Sequence, residues 1–209
     1  NSQNISLYYL YKMSQKFTVL FDLDGTLVDT APDLMVAHNH VMKKFGYEER
    51  DFSDIKKLAG GGSRAMLKKS IHTIAELSGK IKKTDEKMEE EMTKEFIDFY
   101  SKNINTKSKL ITGVIEFLDW CKNNSISMAV CTNKQEHLSI DLLKKIKIYH
   151  FFDYVAGGNT FNYNKPNPKH LTDTLEIIGG NIKKTIMVGD SETDSNAAKA
   201  ANIPFVLIE

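Results

Sequence analysis

Phe17-Thr-Val-Leu-Phe-Asp-Leu-Asp-Gly-Thr-Leu-Val-Asp-Thr30 is the stretch that decides the reading of this chain. Residues 17–21 are a short apolar run of strand formers, which predicts a buried strand. Asp22 and Asp24 follow it at once, and Gly25 lets the backbone turn sharply. A helical pattern starts near Pro32, with Leu34, His38, Val41, Met42 and Phe45 at helix spacing and Gly46 as a stop. Two carboxylates crowded past a strand end repel unless a cation or a proton neutralises them. A hard dication such as Mg²⁺ would do so and would hold a phosphate as well. The same spacing also fits an acidic turn with ordinary capping roles.

Outward from this stretch, residues 51–104 read as mainly helical. Asp51 caps a short helix to Leu58, and Gly60-Gly61-Gly62-Ser63 breaks it. A second helix runs from Ser63 to about Leu77, and a third from about Thr84 to Tyr100. The charged run DEKMEEEMTKE in the third reads as a solvated face. From Thr112 the pattern changes to strands alternating with helices. Strands are expected at 126–131, 152–156, 184–189 and 204–208. Helices are expected at 112–123 (Val114, Phe117, Leu118 and Cys121 inward), 134–147, 168–178 (Leu171, Leu175 and Ile178 inward) and 191–201. That alternation indicates an α/β fold with a mostly parallel sheet covered on both faces, interrupted by a helical insertion.

Three further polar signals fall after predicted strands, where ligands gather in open parallel sheets. Thr132-Asn133-Lys134 follows the strand 126–131; its hydroxyl and backbone N–H groups suit a phosphate, although Thr or Asn before a helix also reads as a cap. Lys165, in the stiff Lys165-Pro166-Asn167-Pro168 loop, suits charge building on a phosphate, or is a surface lysine. Asp190 ends a strand and Asp194 lies four residues on; together they suit an oxygen-rich metal site, or Asp190 caps the next helix. His38, on an apolar helix face, reads as core. The six histidines show no zinc spacing.

The 209 residues carry 28 basic and 27 acidic side chains, so no basic excess marks a nucleic-acid binder. No run of 18 apolar residues predicts a membrane span. Cys121 and Cys131 share no metal-ligand spacing and read as buried free thiols of a reducing compartment. The first residues lack the pattern of a signal peptide, so cytoplasmic residence is expected; residues 1–12, ahead of Met13, read as an upstream extension.

As a set, Asp22-Leu23-Asp24-Gly25-Thr26-Leu27-Val28-Asp29-Thr30, Thr132-Asn133-Lys134, Lys165-Pro166 with Pro168, and Gly189-Asp190-Ser191 with Asp194 resemble the four motifs of the haloacid dehalogenase superfamily. They stand in the family's order, and the phosphoglycolate phosphatase-like branch is the nearest match. The resemblance covers nearly the whole chain from residue 16. It implies a Rossmann-like core at 16–30 and 109–209 with a helical cap at 31–108. It implies Asp22 as nucleophile, Asp24 as acid and base, and Thr132, Asn133 and Lys165 as phosphate ligands. It implies Mg²⁺ held by Asp22, the Asp24 backbone carbonyl and Asp190, with Asp194 supporting the metal directly or through water and neighbouring groups. Gly61, Gly62 and Arg64 resemble the cap loop that approaches substrate, with Arg64 suited to a substrate carboxylate. The family's loop has an asparagine among its glycines, where this chain has three consecutive glycines. The implied activity is hydrolysis of a small phosphomonoester, foremost 2-phosphoglycolate, by a monomer or homodimer. A sugar phosphate, pyrophosphate, or a non-catalytic binding role are the alternatives. Asp24 sets the chain apart from true dehalogenases, which lack that second acid.

Overall fold

The computed structural model describes residues 16–54, 58, 61–78 and 86–208. Residues 1–12, Gly60, the end of the helix expected to reach Leu58 and the start of the one expected at Thr84 lie partly or wholly outside them. The chain divides into two compact units, residues 1–28 with 110–209, and Asp29–Lys109.

In the first unit, among the described residues, five strands form one sheet: β1 (Thr18–Phe21), β4 (Ser127–Cys131), β5 (Tyr154–Ala156), β6 (Thr185–Gly189) and β7 (Phe205–Leu207). Their order is β5-β4-β1-β6-β7, and every pairing is parallel. β1 is central and wholly buried, which explains its unbroken apolar reading. The edge strand β7 leaves Val206 and Leu207 exposed.

Side chains alternate across the sheet. Leu20, Ala129, Cys131 and Met187 share one core with Leu171 and Leu175 of α6 (Lys169–Ile177) and Ala197 and Ala198 of α7 (Glu192–Ala200). Phe21 belongs to the opposite face, edge-on to Phe117 of α4 (Val114–Asn123) and to Phe152. α5 (Glu136–Lys145) packs beside β5. Full burial of one large apolar side chain contributes about 1.5–3 kcal/mol, and Leu20, Met128 and Leu142 are all essentially inaccessible.

Phe117 departs from expectation. It is 38% exposed and stacks on exposed Trp120, in a T-shaped contact with Phe21. Val114, Leu118 and Cys121 carry the buried stripe, and Phe117 lies at its rim. The two-residue strands β2 (Val28–Asp29) and β3 (Lys109–Leu110), which pair with each other, are too short for any periodic signal.

The second unit is built on α1 (Ala31–Lys44), α2 (Ser63–Ser78) and α3 (Glu86–Lys102), with α3 packed on both others. His38 is core, as expected: it is fully buried, with Nε2 2.8 Å from Ser70 Oγ. Asp33, in the first turn of α1, is buried and accepts from Lys107 N, Ser108 N and Ser108 Oγ. The expected helix after Asp51 is a single 3₁₀ turn, Phe52–Asp54, in the described residues.

Candidate active site at the carboxyl edge of the sheet

Strand register assembles the site. Phe21 pairs with Val130 on one side and Val188 on the other, so the next residues, Asp22, Cys131 and Gly189, come level at the carboxyl edge. Thr132 and Asp190 follow one step beyond. Asp22 N donates to Val188 O at 2.9 Å, which extends the ladder by one bond and fixes the carboxylate's base. By alternation Asp22 falls on the face of Leu20, the face that α6 and α7 cover.

The turn after Asp22 is tight. Leu23 is buried, and its carbonyl accepts from Leu27 N at 3.0 Å and Val28 N at 3.1 Å. Gly25 has φ +81°, and a Cβ there would stand 2.1 Å from Asp190 Oδ2. Glycine is needed for the backbone angle and for the close approach of the β1 and β6 loops.

Asp22, Asp190 and Asp194 each offer a carboxylate oxygen, and these lie within 4.8 Å of one another. Lys165 joins them: Nζ is 2.8 Å from Asp22 Oδ1 and 2.5 Å from Asp194 Oδ1. At 3% exposure Lys165 is no surface lysine. Asp190 does not cap α7, because Ser191 does. Ser191 Oγ accepts from Asp194 N at 3.3 Å and donates to Asp194 Oδ2 at 2.6 Å, and Ser191 N donates to the same oxygen. Asp190 stays partly open to solvent with its carboxylate turned in against Gly25, whereas Asp194 is fully buried and held on both oxygens.

The phosphate candidates stand on the β4 side. Thr132 is 2% exposed, and its Oγ1 accepts from Lys134 N at 3.2 Å. It does not cap α5, which begins four residues later. Asn133 Nδ2 donates to Lys165 O at 2.9 Å, tying this loop to the lysine loop. Lys134, which carries no separate expectation within Thr132-Asn133-Lys134, is buried, with Nζ 2.8 and 3.0 Å from the two oxygens of Asp24. Its place two residues after Thr132 was the available signal, but a lysine next to a helix reads as surface.

Burial pushes the Asp22 carboxyl up to about 7; the Lys165 charge opposes this, while Asp194 and Asp24 add to it. Burial works against the Lys165 ammonium, but the Asp22 and Asp194 carboxylates more than offset it and hold it charged. Asp190 is raised by burial and by Asp194. Three carboxylates thus face one ammonium. Asp22 Oδ1 is buried and accepts no aligned hydrogen bond among the described residues, since Lys165 approaches it off line. An oxygen-only set with excess negative charge fits a hard cation.

In the second unit, Gly62 has φ +83° just ahead of α2. A Cβ on Gly61 would stand 2.9 Å from that of Ala65. Arg64 is half-exposed; its Nη2 lies 3.3 Å from Glu89 Oε2 and 3.8 Å from Glu86 Oε1. Lys68 shares Glu89 at 3.2 Å, and together these cations hold the Glu89 carboxyl low against the effect of burial.

Residues 19–208 match the family model described as haloacid dehalogenase-like hydrolase. The chain is 37% identical over 191 residues to a phosphoglycolate phosphatase of Mesorhizobium japonicum, covering 91% of this chain and 82% of that one. It is 36% identical to the phosphoglycolate phosphatase of Agrobacterium fabrum, over 90% and 78% of the two chains. A crystal structure of a predicted phosphoglycolate phosphatase from Haemophilus somnus superposes with a TM-score of 0.85 at 27% identity, covering 93% and 86%. The β-phosphoglucomutase of Clostridium difficile shares the fold, with a TM-score of 0.76 at 23% identity over 93% and 85%.

Proposed function

The chain belongs to the haloacid dehalogenase-like hydrolase family, in its phosphoglycolate phosphatase-like branch, and from that premise we propose that it hydrolyses 2-phosphoglycolate through a phospho-aspartyl intermediate on Asp22. It is an enzyme of the phosphatase class acting on a small phosphorylated metabolite. The observation that carries the reading is the Asp22–Asp190–Asp194 cluster with Lys165 beside it.

Each residue's role follows from its chemistry. An Asp22 oxygen bonds to phosphorus while the bond from phosphorus to the alcohol oxygen breaks. Asp24 gives that oxygen its proton. It then takes a proton from water, whose oxygen attacks the phospho-aspartate, releasing inorganic phosphate and free Asp22. Thr132, Asn133 and Lys165 hold the phosphoryl oxygens during both transfers. Asp194 orients Lys165, and Ser191 orients Asp194. Asp22, Asp190, Asp194 and the Asp24 carbonyl would hold Mg²⁺, which when bound neutralises the carboxylates and the phosphoryl charge.

We assign residues 16–30 and 109–209 as core and 31–108 as cap, with Gly61, Gly62 and Arg64 as the substrate-reading loop. Arg64 already engages carboxylates at Glu89 and Glu86, the chemistry that a two-carbon acid presents. The described residues contain no helix long and apolar enough to cross a membrane, and both cysteines are free and buried. A reducing cytoplasm suits them, for a monomer or homodimer.

The test is phosphate release from 2-phosphoglycolate, hexose phosphates, nucleoside monophosphates and pyrophosphate, with and without Mg²⁺. The reading expects Mg²⁺-dependent turnover with the highest kcat/KM for 2-phosphoglycolate, and none from Asp22→Asn. A higher kcat/KM for a hexose phosphate or pyrophosphate would reassign the substrate, and an active Asp22→Asn would remove the nucleophile.

A further inference from the structure

From the loops behind the phosphate candidates, we propose that His170 is a positioning residue that sets the width of the phosphate pocket by pinning the Gly157 carbonyl. The inference rests on the reading above, in which Asn133 and Lys165 hold the phosphoryl group.

Gly157 and Gly158 lie backbone to backbone against the Asn133–Glu136 loop. A Cβ on Gly157 would stand 2.3 Å from Glu136 N, and one on Gly158 would stand 2.4 Å from Asn133 O. Only glycine permits that approach. The contact is hydrogen-bonded as well as close: Thr132 N donates to Ala156 O at 2.9 Å, and Gly158 N donates to Lys134 O at 2.7 Å. The glycine pair is therefore the floor on which Thr132, Asn133 and Lys134 rest.

His170 holds that floor from the other side. Its Nε2 lies 3.1 Å from Gly157 O. A carbonyl only accepts, so Nε2 carries the proton and donates. The ring is fully buried, edge-on to Phe161, and Nδ1 has no hydrogen-bond partner among the described residues. Burial, together with the nearby Lys165 charge and against the Gly157 bond, lowers its pKa to about 4. His170 thus stays neutral, with one donor committed to one carbonyl. It sits in the first turn of α6, five residues after Lys165, and Asn133 Nδ2 returns to Lys165 O at 2.9 Å. These hydrogen bonds, with the chain from Lys165 to His170, close a ring from Asn133 and Lys134 through Gly158, Gly157 and His170 to Lys165. His170 is the side chain that joins the glycine floor to the lysine loop.

The prediction separates phosphate from metal. Asp22 and Asp190 follow β1 and β6, and Asp194 stands in α7; none of the three belongs to this ring, which meets Asp22 and Asp194 only through the Lys165 ammonium. Removing the donor therefore loosens phosphate binding and spares the cation. The experiment compares the unsubstituted chain with His170→Gln, which keeps a donor at the Nε2 position, and His170→Phe, which fills the space without one. His170→Met replaces the phenylalanine variant if that ring does not fit. Inorganic phosphate is titrated as product inhibitor against 2-phosphoglycolate at several Mg²⁺ concentrations.

The donor-less variant is expected to raise Ki for phosphate and KM by about fivefold, the equilibrium equivalent of one ordinary hydrogen bond. Half-saturating Mg²⁺ should hold within about twofold, and His170→Gln should restore Ki. An unchanged Ki in the donor-less variant overturns the inference, as does a glutamine variant impaired to the same degree. Failure of the unsubstituted protein to release phosphate from 2-phosphoglycolate with Mg²⁺ would overturn the phosphatase reading, and this inference with it.

Discussion

The ammonium of Lys134 stands 2.8 and 3.0 Å from the two carboxylate oxygens of Asp24, across 110 residues of sequence. Lys134 is almost wholly buried and Asp24 is partly open, so the pair is neither a surface ion pair nor a closed one. It fixes the carboxylate that the mechanism uses for proton transfer. Lys134→Met should leave the sheet intact and lower kcat on 2-phosphoglycolate by about tenfold or more, since a general acid or base contributes about 10²–10⁴ and mispositioning forfeits part of it. Steady-state kinetics of the folded variant check this; an unchanged kcat would separate Lys134 from Asp24's work.

Asp24 has a leaving-group signature of its own. An alkyl alcohol leaves from phosphorus only when protonated, whereas a nitrophenolate leaves unassisted. Asp24→Asn should therefore cost 2-phosphoglycolate about 10²–10⁴ in the transfer step and p-nitrophenyl phosphate much less. Single-turnover rates on the two substrates give the comparison. Equal losses would deny Asp24 the role of acid.

Gly25 bears on the metal without offering a ligand side chain. With φ +81° and Asp190 Oδ2 2.1 Å from where a Cβ would sit, Gly25→Ala must displace the Asp190 carboxylate or the turn. A rise of about tenfold in half-saturating Mg²⁺ is expected, since losing support for one ligand costs about 10–100-fold in metal affinity. A Mg²⁺ titration of phosphate release measures it. An unaltered midpoint would show that Asp190 does not serve the ion.

Protons and cation compete at Asp22. Burial raises this carboxyl from 3.8 to about 7 in the folded, metal-free protein. Between those values the folded state keeps a proton that the unfolded chain has released, so metal-free stability falls as pH climbs through this window. A dication binds the carboxylate alone, so its affinity should rise by up to about tenfold per pH unit up to about 7 and level off above. Thermal melts with and without Mg²⁺ at pH 5.5 and 8 should show the larger stabilisation at pH 8. Equal shifts at the two pH values would contradict it.

Much of this arrangement was legible in the sequence because parallel sheets gather their ligands at strand ends. FTVLF, ISMAVC and KTIMVG each announce a buried strand, and Asp22, Thr132 and Asp190 follow them, so register alone brings the three together. Alternatives left open by spacing were closed by packing. Ser191 takes the helix cap from Asp190, and Lys165 is buried. What stayed illegible depends on distant pairing. Nothing local tells Lys134 that Asp24 is its partner, or His170 that the Gly157 carbonyl awaits it. Phe117 fits the helix period, yet it lies at the rim of the buried stripe, in a T-shaped contact with Phe21 and stacked on exposed Trp120, so that part of the ring meets solvent.

The central claim is a covalent bond between Asp22 and phosphorus. The direct measurement is rapid acid quench of the enzyme during turnover of 2-phosphoglycolate with Mg²⁺, followed by peptide mass mapping. One added phosphoryl group is expected on the peptide that carries Asp22, absent in Asp22→Asn and absent without Mg²⁺. Full turnover with no modified peptide at any quench time, or a phosphoryl group on another residue, would contradict the account.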